Sequence, residues 1–316
     1  MKNKHKIAAG SLGGTMAAGA ALTLILGRMI YKATLGAGPA GGGGDLEAKA
    51  WEERPEGMDR LKAYPQQKFM VESPKNGYQV ETLHVKSLLD SPDAIILVHG
   101  HRSHYYDLVE VALSYLEKGF NVMLYNQRHS GLTGGRNYTF GLFERFDLNE
   151  IAVIARRLYP AGRLGVHGFS MGAATAAMQA ELNEVSNLVD YYILDSPYHN
   201  LDNAVQLGLL EKKYPSLATP YLKWSGRVFA FLKDGIRYGD VSPLEAASKV
   251  SVPVMLIHGR RDVVTSPEGS QAIYDRLSHP GKSLVYFEER GHCTAHHQER
   301  GRYFQEVFDF IATVNK

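Results

Sequence analysis

LGVHGFSMGAATAA, residues 164–177, is the stretch on which the fold turns. Its centre, Gly168-Phe169-Ser170-Met171-Gly172, has the pattern G-x-S-x-G, set between a short apolar run and an alanine-rich run. A serine hydroxyl becomes a useful nucleophile only when it is exposed, placed beside a base and faced by donors to an oxyanion. A strained strand-to-helix turn supplies the exposure. Gly168 and Gly172 keep such a turn open, because side chains there would crowd the neighbouring strand and helix. The pentapeptide alone recurs by chance, but its setting is specific: residues 164–167 read as a buried strand and residues 171–182 as a run of strong helix formers. The alternative is a tight structural turn with an incidental serine.

Outward from this turn, short apolar segments alternate with amphipathic ones. Before it come strands at 69–72 and 79–85 joined through a Pro-Lys-Asn-Gly turn, a buried strand at 94–98, a helix over about 106–118, a strand at 121–125 and a helix over about 145–158. After it come strands at 191–194, 254–257 and 283–287, a helix opened by Ser266-Pro267 and a last helix over about 298–314. Alternation of this kind predicts an α/β domain with a mainly parallel sheet covered by helices and ligands at the carboxyl ends of the strands. Residues 197–250 separate two of those strands by far more than an ordinary crossover and carry Tyr198, Tyr214, Tyr221, Trp224, Phe229 and Phe231. They are expected to form a helical cap, its aromatics serving either an acyl pocket or the cap's own small core.

His99-Gly100-His101, Gly168 to Gly172, His258-Gly-Arg-Arg-Asp262 and Gly291-His292 follow one another in a set order. Through them, residues 69–314 resemble the α/β-hydrolase superfamily, and within it the bacterial membrane-anchored serine hydrolases of lysophospholipase-like or serine aminopeptidase-like type. The resemblance implies the α/β-hydrolase fold. The sequence departs from it at Asn126-Gln-Arg-His-Ser-Gly131, where relatives usually carry Asp first.

Asp262 falls five residues past the strand ending at Ile257, and His292 five past Phe287, so both belong on loops at the sheet edge that holds Ser170. The order Ser, Asp, His is that of the α/β-hydrolases. In those roles Ser170 attacks an acyl carbon, His292 takes its proton and Asp262 orients the imidazole. Asp195, ending a strand in Asp-Ser-Pro-Tyr, is a rival acid, and Asp262 has the plainer alternative of a turn former. His296 and His297 are weaker candidate bases, expected to begin the last helix and face solvent. The oxyanion donors are expected to be the backbone N–H groups of Met171 and His101, with the His101 ring a rim group and His99 structural. No cofactor or metal is expected, and the glycines of 131–135 lack the Lys-Ser/Thr of a P-loop. The reaction class is ester, thioester or amide cleavage of a small acyl or lipid-like substrate through an acyl-enzyme, as carboxylesterase, lysophospholipase, peptidase or acyl-protein thioesterase. A catalytically dead binding domain on the same fold is the reading from another class.

The 316 residues, 44% hydrophobic and 22% charged, suffice for a full-sized core. The net charge of +2 hides an asymmetry, since Lys2, Lys4, Lys6, Arg28 and Lys32 precede the first acidic residue. Without those five, 30 Lys and Arg face 33 Asp and Glu, which leaves no basic footprint for nucleic acid. Cys293, the only cysteine, excludes an internal disulfide. Residues 7–27 carry no charge and as a helix span about 31 Å, enough to cross a bilayer. A signal peptide cleaved near 37–40 and a buried soluble helix are the alternatives. The organisation expected is an anchor at 1–32, a linker or tether at 33–66 with a flexible Gly-rich stretch at 37–44 and a patternless charged stretch at 45–65 that is either a tether or an outer helix packed on the domain, and a hydrolase domain at 67–316. Three lysines before the span put the N-terminus inside and the domain on the outer face of the cell membrane.

Overall fold

The computed structural model describes residues 2–38 and 45–314. Eight strands form one sheet: β1 (Gln66–Ser73), β2 (Tyr78–Val85), β3 (Ala94–Val98), β4 (Asn121–Tyr125), β5 (Leu164–Phe169), β6 (Tyr191–Asp195), β7 (Val254–Gly259) and β8 (Ser283–Phe287). Their order is β1-β2-β4-β3-β5-β6-β7-β8. The first two pairings are antiparallel and all later ones parallel, which is the architecture the resemblance implied. Strands β3 to β7 are buried along their whole length, as continuous apolar runs covered on both faces must be.

Twelve α-helices are described. Helices α4 (Val109–Leu116) and α12 (Arg300–Thr313) cover one face of the sheet. On the other lie α5 (Glu144–Leu158), α6 (Met171–Ser186), α9 (Pro243–Ala247) and α10 (Pro267–Arg276). Of the two readings of the patternless stretch before β1, tether or packed outer helix, the second holds. It folds into α2 (Leu46–Glu53), capped by the Asp45 carboxylate on the amides of Glu47 and Ala48, and α3 (Pro55–Lys62), opened by Pro55 at its first turn. Leu46, Ala50, Met58 and Leu61 join the first core face, and Arg54 pairs with Asp107 at 2.7 Å.

Between β6 and β7 lie α7 (Leu201–Glu211), α8 (Thr219–Asp234) and α9; the short α11 (Ala295–Gln298) precedes α12. The long N-terminal helix α1 (Lys2–Ala33) runs beside α8. Contacts advance together along the two: Thr23 with the Tyr221 hydroxyl, Gly27 with Ser225, and Tyr31 with Phe229 and with the Asp234 carboxylate at 2.5 Å. The helices therefore run in the same direction. Gly27 permits the approach, since a Cβ there would lie 2.3 Å from the Ser225 carbonyl oxygen. Ile30, Tyr31 and Leu35 are buried in a third core with residues of α6, α7 and α8, each such burial being worth about 1.5–3 kcal/mol. Within α1, Met16–Ala33 is long and apolar enough to cross a membrane by length and composition. Of the glycine-rich linker, residues 39–44 lie outside the described residues, while Ala37 is buried against the domain.

Candidate active site

Strand β5 runs into α6 through Ser170, whose φ of 54° and ψ of −116° lie where a non-glycine residue is strained by about 1–3 kcal/mol. Packing imposes the turn. A Cβ on Gly172 would lie 2.2 Å from the Val98 carbonyl oxygen, so the start of α6 presses on the end of β3 in a way only glycine allows. The Ser170 amide is tied to the Asp195 carbonyl at 2.8 Å. The hydroxyl is thereby lifted off the carboxyl edge of the sheet.

Loops after β7 and β8 bring the other two residues to it. His292 Nε2 lies 2.8 Å from Ser170 Oγ, and its Nδ1 lies 2.7 Å from Asp262 Oδ2. The carboxylate of Asp262 is held on every side: Oδ1 accepts from the amides of Val264 and Thr265, and Oδ2 also receives His258 Nε2 at 3.0 Å and the Thr265 hydroxyl at 2.9 Å. Burial opposes its charge, yet the two imidazoles hold its pKa well below the carboxylate range. Burial likewise opposes the His292 cation, and the neighbouring Cys293 sulfur together with the Asp262 carboxylate outweighs it, holding His292 above the ordinary histidine value.

Asp195 is buried beneath the turn and faces elsewhere. Its Oδ2 accepts from the Tyr303 hydroxyl at 2.8 Å and its Oδ1 from Ser196. Tyr303 continues to His167 and on to Tyr115, a closed polar chain through the core, and burial raises the Asp195 pKa. His296, expected to face solvent, is instead half-buried against Phe169 and Tyr303, and burial drops its pKa to about 4. His297 is exposed at the start of the last helices.

Met171 is the first residue of α6, so its N–H has no partner one turn back in the helix. The loop carrying His101 passes alongside, with a Cβ on Gly100 falling 3.5 Å from Ser170 Cβ. His101 also lines the cavity that opens over Ser170. It packs on Tyr138 and Phe140 and places Nε2 3.2 Å from the Thr34 carbonyl, just beyond α1. Burial lowers its pKa to about 4, so it is a neutral ring donating to that carbonyl. His99 is structural: Nε2 accepts the Gln127 amide and Nδ1 bonds the Gly100 carbonyl. Asn126, where relatives usually have Asp, needs both ends of its amide. Oδ1 accepts the Tyr105 N–H and Nδ2 donates to Glu81, a carboxylate that an aspartate would repel.

An apolar cavity of about 230 Å³ opens over Ser170. Phe140, Val205 and Leu209 line it, and so do Met29, Ile30 and Ala33 of α1. Sequence reasoning missed this wall, and it missed His258 and Thr265 as supports of Asp262. His258 stood within a quoted motif, whereas nothing in the pattern of α1 tells a helix that crosses a bilayer from one whose last turns also close a cavity.

The chain is similar to the uncharacterized protein YqkD of Bacillus subtilis, 30% identical over 241 residues that cover 76% of this chain and 77% of the relative. Among solved structures, an esterase of Pyrococcus furiosus superposes with a TM-score of 0.67 at 23% identity, over 87% of this chain and 98% of that one. The acylaminoacyl peptidase of Pyrococcus horikoshii does so at 0.57 and 20%, over 80% of this chain and 42% of that one. The family described as serine aminopeptidase, S33, matches residues 90–242 and 241–299. With the α/β-hydrolase fold around them, these matches make the chain an α/β-hydrolase enzyme that belongs to the S33 serine aminopeptidase family.

Proposed function

We propose that the protein is a serine hydrolase cleaving a carboxylic ester through an acyl-enzyme, as a carboxylesterase or lysophospholipase. The observation that carries this reading is the chain of contacts from Ser170 Oγ through both nitrogens of His292 to Asp262. Ser170 attacks the acyl carbon as His292 Nε2 accepts its proton, and the imidazolium formed is stabilised by Asp262. The N–H groups of Met171 and His101 receive the developing oxyanion. His292 then protonates the leaving alcohol, and a water activated by the same nitrogen releases the acid. The sequence needs no cofactor. Helix α1 anchors the enzyme as a single pass in the cell membrane with the hydrolase on the outer face, and α7, with α8 packed on it, caps the site.

The test is labelling of Ser170 by a fluorophosphonate, with Ser170→Ala as the control. A wild-type protein that does not label is a scaffold and not a hydrolase. The family match favours a second substrate class, amides, and thioesters would react by the same steps. A screen of p-nitrophenyl acyl esters, lysophospholipids and aminoacyl amides ranks them by kcat/KM.

A further inference from the structure

Leu22, Ile25, Met29 and Ala33 follow one another along α1 at intervals of three and four residues, so they share one face of the helix. That face is open: Leu22 is 50%, Ile25 66% and Met29 38% exposed, and Ala33 is exposed as well. The opposite side, with Thr23, Gly27, Ile30 and Tyr31, is occupied by α8 and its neighbours. The open stripe begins inside the segment apolar enough to cross a membrane and ends at Met29 and Ala33, which line the cavity over Ser170. Eleven residues of rise make it about 17 Å long. At its lower end the partner helix presents Tyr221 and Trp224, half exposed and stacked with centroids 5.7 Å apart, beside Thr23. Aromatic side chains of this kind settle at the headgroup level of a bilayer.

Resting on the serine hydrolase reading above, we propose that this face of α1 is an acyl-chain track, and that the substrate is a single-chain acyl glycerol ester drawn from the bilayer. The chain leaves the membrane beside Leu22 and Ile25 and stays against apolar surface past Met29 to the cavity, so that less of it faces water on the way. At Ser170 the ester carbonyl bonds to Oγ, the glycerol oxygen departs with the proton held by His292, and water releases the fatty acid. One row of side chains and one narrow cavity fit one chain.

The test uses the full chain in vesicles of a diether phosphatidylcholine, which contain no cleavable ester. Turnover of vesicle-borne monooleoylglycerol is divided by turnover of dissolved p-nitrophenyl acetate on the same vesicle-bound protein. Ile25→Asp should lower this ratio about tenfold or more, because a carboxylate interrupts the apolar path. Leu24→Asp, at the same depth but off the stripe and 42% exposed, should stay within about twofold of wild type. Ile25→Phe should retain the wild-type ratio. Equal loss in both aspartate variants, or loss in neither, overturns the track. So does a wild type that cleaves the dissolved ester and not the vesicle-borne one, which leaves the hydrolase reading standing. A wild type inert to both esters and to a fluorophosphonate removes that reading, and the track with it.

Discussion

Asp262 and Asp195 both end near the His292 loop, and their surroundings set them to different tasks. Asp262 points two imidazoles at one oxygen, whereas both oxygens of Asp195 are occupied by Tyr303 and Ser196. Asp262→Asn should therefore lower kcat by roughly 10²- to 10⁴-fold, with the acyl-enzyme still detectable by mass. Asp195→Asn should act chiefly on the melting temperature by breaking the Tyr303–His167 chain. The reverse ranking would move the acid role to Asp195. The raised His292 pKa places the rising limb of kcat/KM above the ordinary value of 6.5, since the base works only when neutral. Linkage gives the matching stability window. The raised His292 stabilises the fold fully below 6.5 and loses that contribution as pH rises through its folded value. The depressed Asp262 contributes above 3.8 and loses it as pH falls through its own. The melting-temperature gap between wild type and Asp262→Asn should be widest between those limits, and a gap flat with pH would contradict the pairing. The three residues read from spacing in the sequence do meet in space. What spacing could not give is who stands behind them, because His258 and Thr265 reach Asp262 only through the curl of the loop after β7.

The β5–α6 turn owes its shape to van der Waals exclusion, so its glycines are where a single methyl does most harm. Gly172→Ala should destabilise the fold by about 1–3 kcal/mol and also slow acylation, read as a lower urea midpoint together with slower fluorophosphonate labelling. A full-rate enzyme would mean that β3 can yield to the methyl. Elements were legible wherever an apolar run is bounded by turns: β3 and β4, buried on both faces, and the half-buried edge strand β8 match the expected residues. Stretches governed by docking were legible only as one of two alternatives, tether or packed helix. Residues 45–65 lack a clear period because α2 and α3 touch the core with only a few residues each, Leu46 and Ala50 from one, Met58 and Leu61 from the other. His296 was misread for the same reason, since Phe169 and Tyr303 half-cover a residue that its own neighbourhood marks as exposed.

Across the whole molecule the N-terminal helix and the hydrolase body share a core, so neither is independent of the other. Forcing them apart with Gly27→Leu should leave fluorophosphonate labelling of Ser170 intact while the preference for p-nitrophenyl octanoate over acetate falls by roughly tenfold as the cavity wall is lost. Retained preference would make α1 a mere leash. The proposed orientation has its own check: protease added to intact cells should shave off the hydrolase body, and protection until lysis would reverse the topology. The pairing of α1 with α8 also sets a clock. Its hydrogen bonds join residues 198 and 203 positions apart, against 122 for the bond between nucleophile and base. At ribosomal speeds α1 emerges about 10–40 s before α8 exists, so it must wait with Ile30, Tyr31 and Leu35 unsatisfied. Lodging early in a lipid phase would shelter those side chains from aggregation and chaperone triage during that interval. Biogenesis and catalysis then place the same demand on one helix.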